Sequence, residues 1–125
     1  FGADNWESAQ LPMPNIRRMA AEGSRAERMT VVTPSVTWPN HTTLVTGVSP
    51  ARHGVLGNGR VEAGTAGSPP FAIVPRRSKQ ELCRAVTLYD VAHAAGLRTA
   101  EVNWPVTRGA PTLHWSFPDH PEALD

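Results

Sequence analysis

Cysteine is almost missing from this sequence, and Cys83 is its single representative. One thiol cannot form an internal disulfide or a thiolate cage for a metal ion, so both are excluded within the chain. No glycine-rich or histidine-bearing segment surrounds Cys83, and we interpret it as a buried structural thiol rather than a nucleophile. A lone cysteine fits either redox environment, which leaves the cellular compartment open.

An excess of charge of one sign is missing too: 12 Lys and Arg residues stand against 11 Asp and Glu residues, for a formal net charge of +1. A surface that binds a nucleic-acid duplex normally needs clustered basic residues, so we expect no such partner. No apolar run approaches the ~20 residues of a transmembrane helix, and no signal peptide is visible. Because Phe1–Asp4 resembles the interior of a protein, we expect any targeting segment to lie outside this sequence.

Helix signals are clear in the first half of the chain. A helix is expected over 14–22, because Pro14 suits a first helical turn and Gly23 suits a left-handed stop. A second helix is expected to begin just after Thr37, whose hydroxyl can serve as the N-cap, and to end at Gly47. A short helical turn is expected over 49–54.

The last third of the sequence predicts a helix followed by a strand. Thr87 and Asp90 have the spacing of a capping box, and Gly96 is the expected stop. The apolar positions of this helix predict a buried stripe of Leu88, Val91, Ala92 and Ala95. A strand is expected over 98–102, and a helix followed at once by a strand is half of a βαβ unit. This order favours an α/β fold with a largely parallel sheet.

The remaining segments predict short strands and one long loop. Strands are expected over 29–32 and from Val55 onward. Residues 62–76 are rich in Ala, Gly, Ser and Pro, which predicts an irregular loop. Loops of this length inside a compact domain are often functional lids or binding loops.

The chemically informative segment is 34–47, where Thr37 follows a predicted strand and opens a predicted helix. A helix N-terminus offers unpaired N–H groups and a partial positive charge, and together these form an anion site. A threonine hydroxyl needs activation by a base or a metal ion. His41, one helical turn further on, is the local candidate base, but a packed or hydrogen-bonded role for His41 is favoured over a Thr–His dyad. Metal activation suits phosphoryl chemistry better.

The sequence around Thr37 resembles the nucleophile segment of the type I phosphodiesterase/nucleotide pyrophosphatase family, within the alkaline phosphatase superfamily. That family shows a Thr-Phe-Pro-Asn-His core, then Val-Thr-Gly, then Pro-x-x-His-Gly and an Asn. The corresponding residues here are Thr37-Trp38-Pro39-Asn40-His41, Val45-Thr46-Gly47, Pro50-Ala51-Arg52-His53-Gly54 and Asn58. Trp38 replaces the usual Phe, and nearly the whole chain resembles the front part of a family member.

The resemblance implies roles for two residues. Thr37 corresponds to the nucleophile, which forms a covalent phospho-threonine and contacts one of two divalent metal ions, expected to be zinc. Asn58 corresponds to the residue whose amide holds a phosphoryl oxygen, although an Asn between two glycines is also a common turn residue. Asn40 and His53 lie within the motif and are interpreted as structural. The other metal ligands are expected outside these residues, and Asp4 is given no ligand role.

For the fold, the resemblance implies an alkaline-phosphatase-like three-layer sandwich with a mostly parallel sheet. Residues 1–125 would form its nucleophile-bearing N-terminal portion, a partial catalytic domain that is expected to be inactive in isolation. The implied activity is metal-dependent hydrolysis of phosphodiester or pyrophosphate bonds in a small-molecule phosphodiester or nucleotide, in a periplasmic or secreted setting. Phosphonate or phosphomonoester hydrolysis, or non-catalytic phosphate binding, are the alternatives. The oligomeric state is left open.

Overall fold

The structure is a computed structural model that describes residues 6, 8, 10–64, 66, 71–74 and 76–119. The chain forms two compact units, Phe1–Thr30 and Val31–Asp125. Within the described ranges, no helix combines the length and the apolarity needed to span a bilayer.

The first unit contains helix α1, Pro14–Glu22, which has the predicted bounds. Proline occupies its first turn, where the missing N–H costs no hydrogen bond. The predicted left-handed stop was wrong, because Gly23 has a φ of −122° and closes the helix through its N–H to the carbonyl of Met19. Two apolar residues of this helix are largely exposed, Ile16 at 49% and Met19 at 69%.

The second unit mixes helices with short strands. Its helices are α2 (Thr37–Thr46), α3 (Pro50–His53), α4 (Lys79–Leu82) and α5 (Leu88–Ala94). Its strands are β1 (Arg60–Ala63), β2 (Phe71–Val74), β3 (Ala100–Val102) and β4 (Trp115–Phe117). The predictions for α3, for the stop of α2 at Gly47 and for the capping box that begins α5 are confirmed, since each depends on a local signal in the sequence, whereas α2 begins one residue earlier than expected.

The described strands form two separate two-stranded sheets. Strand β1 pairs with β2 antiparallel, with Arg60 opposite Val74 and Ala63 opposite Phe71. Strand β3 pairs with β4 in parallel, and Ala100 lies opposite Trp115. This parallel pair is compatible with the predicted α/β class, while the three-layer sandwich stays a prediction.

Several strand and loop predictions were wrong. Residues 29–32 and 55–59 are not in strands, and the strand expected from Val55 begins instead at Arg60. The predicted loop 62–76 contains the end of β1 and all of β2. Residues 65, 67–70 and 75 of that loop lie outside the described residues. Strand formation depends on a pairing partner, which local composition does not reveal.

The predicted buried stripe of α5 was also wrong. Leu88 and Val91 are 64% and 61% exposed, Ala95 is exposed and Ala92 is only half-buried. No residue within the helix is fully buried, whereas its N-cap residue Thr87 is only 2% exposed. The other described residues do not cover the apolar face.

A small core lies beneath the start of α2. It consists of Trp38, Val55, Leu82, Cys83 and Val106, with Ala85 packed against it. Cys83 is buried, as predicted, and its thiol donates to the carbonyl of Ala85 at 3.4 Å. This core joins α2 to the segment after α3 and to the end of α4, so it sets the position of the N-terminus of α2.

A second cluster, which we call the Asp90 network, is polar and joins α4 to α5. The Nζ of Lys79 lies 2.5 Å from Oδ2 of Asp90, and both side chains are largely buried. The hydroxyl of Thr112 donates to the other Asp90 oxygen. Burial alone would raise the pKa of Asp90, but the hydrogen bonds from Lys79, Thr112 and Thr87 outweigh it and hold this pKa well below its usual range.

Candidate active site

Helix α2 begins at Thr37, which is exposed. Its N-cap is Val36, an extended residue with a φ of −120° and a ψ of 169°, and no side chain caps the helix from this position. The expectation that Thr37 would be the N-cap was wrong by one residue. Because the first turn of a helix leaves N–H groups without helical partners, its start still needs hydrogen-bond acceptors from elsewhere.

One of these acceptors is Asn58, which follows Trp38 by 20 residues. Its Oδ1 accepts a hydrogen bond from the backbone N–H of Trp38 at 2.9 Å. A backbone N–H can only donate, so the amide oxygen must face the helix, and Nδ2 keeps its N–H groups for another acceptor. Gly59, at a φ of +151°, shapes the turn that carries Asn58. The structure thus brings Thr37 and Asn58 together at one helix end.

Asn40 holds the segment that leads into α2. Its Oδ1 accepts from the N–H of Val32 at 3.0 Å, and its Nδ2 donates to the carbonyl of Val36 at 2.8 Å. Both bonds go to the backbone just before Thr37. This arrangement agrees with the structural role predicted for Asn40, because it fixes where the chain enters the helix.

His41 contacts the backbone of Thr37. Its Nδ1 lies 2.8 Å from the carbonyl oxygen of Thr37, four residues earlier. The ring also meets the ring of Trp104 edge to face, with centroids 4.9 Å apart and an interplanar angle of 70°. The hydrogen bond that the structure shows between His41 and Thr37 therefore reaches the peptide and not the hydroxyl. This finding agrees with the packed and hydrogen-bonded role favoured from the sequence.

His53 is fully buried and connects α2 to the loop that carries Asn58. Its Nδ1 accepts from the N–H of Val55 at 3.1 Å, so Nε2 carries the proton in the neutral ring and donates to Oγ1 of Thr43 at 3.0 Å. Burial lowers the pKa of His53, while a hydrogen bond to the backbone of Pro39 opposes this effect. The neutral ring therefore fits this environment, and His53 has the structural role predicted for it.

The two tryptophans near the site differ in their surroundings. Trp38 is buried in the core, and its indole N–H donates to Asp119 at 3.3 Å. Trp104 is half-buried, and its indole nitrogen is buried without a hydrogen-bond partner among the described residues. No local signal in the sequence links Trp104 to His41 on α2.

The expected metal centre is not assembled by the described residues. Within these ranges, no three His, Cys, Asp or Glu side chains lie close enough to hold a metal ion. Thr37 stays the single ligand predicted from this chain, and it is an exposed residue at the start of α2. The described side chains alone do not fit a two-metal site.

Comparison with known proteins identifies relatives of the chain. Residues 1–123 match the type I phosphodiesterase / nucleotide pyrophosphatase family. Ectonucleotide pyrophosphatase/phosphodiesterase family member 3 of Rattus norvegicus is 27% identical over 119 residues, which cover 95% of this chain and 13% of the rat protein. Venom phosphodiesterase 2 of Crotalus adamanteus is 40% identical over 55 residues, covering 44% of this chain and 6% of the venom protein.

Another relative is the venom phosphodiesterase of Naja atra, 38% identical over 58 residues that cover 46% of this chain and 7% of that protein. The chain therefore spans 13% or less of the length of each of these relatives. No solved structure matches the chain.

Proposed function

Because the chain belongs to the type I phosphodiesterase/nucleotide pyrophosphatase family, we propose that it supplies the nucleophile for hydrolysis of phosphodiester or pyrophosphate bonds. The observation that carries the proposal is that Thr37 and Asn58 both lie at the start of α2. Thr37 is exposed there, and the amide of Asn58 is held on the next backbone N–H. The proposed substrate is a small phosphodiester or a nucleotide.

The local electrostatics support a bound phosphoryl group. A helix N-terminus carries a partial positive charge that favours an anion close to its first residues. The amide oxygen of Asn58 is occupied by Trp38, so its Nδ2 is the group available to donate to a phosphoryl oxygen. A donor fixed in this way stabilises negative charge as it develops in the transition state.

The proposed reaction has two steps. The oxygen of Thr37 forms a bond to phosphorus as its proton passes to solvent, and the bond from phosphorus to the leaving oxygen, of an alkoxide or of a phosphate, breaks. The leaving group takes up a proton and departs as an alcohol or a nucleotide, which leaves a covalent phospho-threonine. Water then cleaves the phosphorus bond to Thr37, which restores the hydroxyl and releases the phosphate product.

Two divalent cations, expected to be zinc, belong to the proposal. Such ions lower the pKa of a bound hydroxyl group and neutralise phosphate charge. The hydroxyl of Thr37 would be one ligand. The described residues do not form a metal cluster, and the other ligands are expected outside residues 1–125, as the family resemblance implies.

The test uses the longest natural polypeptide that contains these residues, assayed with a bis-aryl phosphodiester in the presence of zinc. Thr37→Ala should lower kcat at least about 10³-fold, because no nucleophile remains. Thr46→Ala is the matched control in the last turn of the same helix and should retain kcat within about threefold. Acid quenching followed by peptide mass spectrometry should find phosphate on Thr37 in the parent protein.

Each alternative has its own outcome in this experiment. Faster turnover of an aryl phosphomonoester or an aryl phosphonate would move the assignment to one of those substrates. Phosphate binding without turnover of any of the three would favour a non-catalytic module. Activity that survives Thr37→Ala would remove the proposed nucleophile.

A further inference from the structure

His41 and Thr37 are joined by a hydrogen bond whose direction is fixed by chemistry. A carbonyl oxygen can only accept, so the Nδ1 of His41, at 2.8 Å from the oxygen of Thr37, must carry a proton. Thr37 is the first residue of α2, at a helix end, where backbone geometry tends to fray. A side-chain donor on its carbonyl therefore restrains the peptide that directly follows the proposed nucleophile.

The ring of His41 also has an aromatic neighbour. Trp104 contacts it edge to face at a centroid distance of 4.9 Å. The backbone of Trp104 is restrained on both sides: its N–H donates to Glu101 at 3.0 Å, and its carbonyl accepts from the hydroxyl of Thr107 at 2.7 Å. Thr107 is only 1% exposed, so the residue that supports Trp104 belongs to the interior.

We propose that His41 is a positioning residue for the nucleophile, an inference that rests on the proposed function. Its Nδ1–H holds the carbonyl of Thr37, and Trp104 keeps the ring in the orientation that this bond needs. The Thr37 hydroxyl then keeps one direction relative to the Asn58 amide. Fixing a reacting group in this way accelerates the chemical step more than it strengthens substrate binding.

Two substitutions separate the hydrogen bond from the aromatic contact. His41→Phe keeps a ring against Trp104 but has no donor for the carbonyl of Thr37. His41→Asn loses the ring but places an amide N–H near the former position of Nδ1. His93→Phe applies the same chemical change to an exposed histidine on α5 and serves as the control.

The measurement is kcat and KM for the bis-aryl phosphodiester in the longest natural polypeptide, with Tm as the check on folding. His41→Phe should lower kcat at least about tenfold and leave KM within about twofold. His41→Asn should recover most of the lost kcat, and His93→Phe should behave like the parent. If His41 only stabilised the fold, His41→Phe would change Tm and would not lower kcat while leaving KM unchanged.

The opposite results would overturn the inference. If His41→Phe keeps the parent kcat, the hydrogen bond has no positioning role. If His41→Asn is as impaired as His41→Phe, the ring matters instead, as a base or as packing. If His41→Phe does not fold, Trp104→Ala replaces it, because it removes the ring contact and leaves the His41 donor in place; an unchanged kcat there overturns the role of Trp104 in orienting His41.

Failure of this inference can be told apart from failure of the proposed function. An inactive Thr37→Ala beside a normal His41→Phe removes only the positioning role. An active Thr37→Ala removes the proposed function itself.

Discussion

Helices α2 and α5 both begin near a threonine, and the two threonines are used in different ways. At α5, the hydroxyl of Thr87 accepts from the N–H of Asp90 at 3.3 Å, and a carboxylate oxygen of Asp90 accepts from the N–H of Thr87 at 2.8 Å. At α2, Thr37 is the first helical residue, and a distant side chain, Asn58, accepts from the first turn.

The difference shows which helix end has a side chain free for chemistry. Thr87 is only 2% exposed and is part of the Asp90 network, so its hydroxyl contributes to stability. Thr37 is exposed, and it does not occupy the N-cap position. Capping by a distant residue leaves the nearby hydroxyl available, whereas a capping box uses it.

After the loss of the nucleophile itself, the largest effect is expected from Asn58, because it caps α2 and is also the proposed phosphoryl donor. Asn58→Asp keeps an oxygen for the N–H of Trp38 but loses the amide donor and adds a negative charge. We expect kcat to fall about 10²- to 10³-fold, equivalent to about 3 to 4 kcal/mol. Tm should stay at the parent value or rise, since a carboxylate suits a helix N-terminus.

Asn58→Ala completes this comparison, because it removes both the cap and the donor and should lower Tm as well as kcat. Steady-state kinetics and thermal unfolding on the same preparations measure both properties. If the Asn58→Asp protein keeps the parent kcat, Asn58 acts only as a helix cap. The polar side chain at the start of α2 would then have a structural role alone, like those at the start of α5.

The next effect concerns the other helix end. Asp90→Ala removes a largely buried carboxylate and leaves Lys79 without its ion-pair partner. We expect the free energy of unfolding to fall by about 3 kcal/mol, measured by denaturant titration, while kcat per folded molecule is unchanged. Glu81→Ala is the matched control, because Glu81 occupies the same position in the exposed capping box of α4 and should cost less. A large loss of kcat in folded Asp90→Ala protein would show that α5 also serves the reaction.

The smallest expected effect is a pH dependence of the free energy of unfolding, to which His53 and Asp90 contribute in different pH ranges. Burial lowers the pKa of His53 below its ordinary value of 6.5, so the unfolded chain binds the proton more readily. Stability is then complete above about pH 6.5 and falls as the pH drops below that value. Asp90, whose pKa is well below its usual range, keeps its contribution throughout this window and loses it only in stronger acid.

Denaturant titrations at about pH 7 and about pH 5 test this sign. The parent protein should be less stable at the lower pH, and His53→Gln should show a smaller difference between the two. An equal pH dependence in both proteins would mean that His53 is not the responsible group.

Much of the helical structure could be predicted from the sequence. The start of α1 at Pro14, the left-handed stop of α2 at Gly47 and the capping box of Thr87 with Asp90 are all present. Each signal acts between residues a few positions apart. Such contacts form whenever the helix forms, so the local sequence is enough to predict them.

The strands and the exposed faces could not be predicted equally well. The expected strand at 29–32 is missing from the described structure, and the hairpin of β1 and β2 lies in a segment predicted mostly as a loop. Leu88 and Val91 on α5 are exposed despite their apolar periodicity. In each case the outcome depends on which other segment packs or pairs with the residues.

For the candidate site, the sequence alone determined that a threonine opens a helix and that a glycine-flanked asparagine follows it. Only the tertiary structure decided that Val36 is the N-cap, that the oxygen of Asn58 faces the N–H of Trp38, and that His41 meets Trp104. The physical reason is how far apart along the chain the interacting residues lie. Helix signals act over one turn, whereas these contacts join residues that only the folded chain brings together.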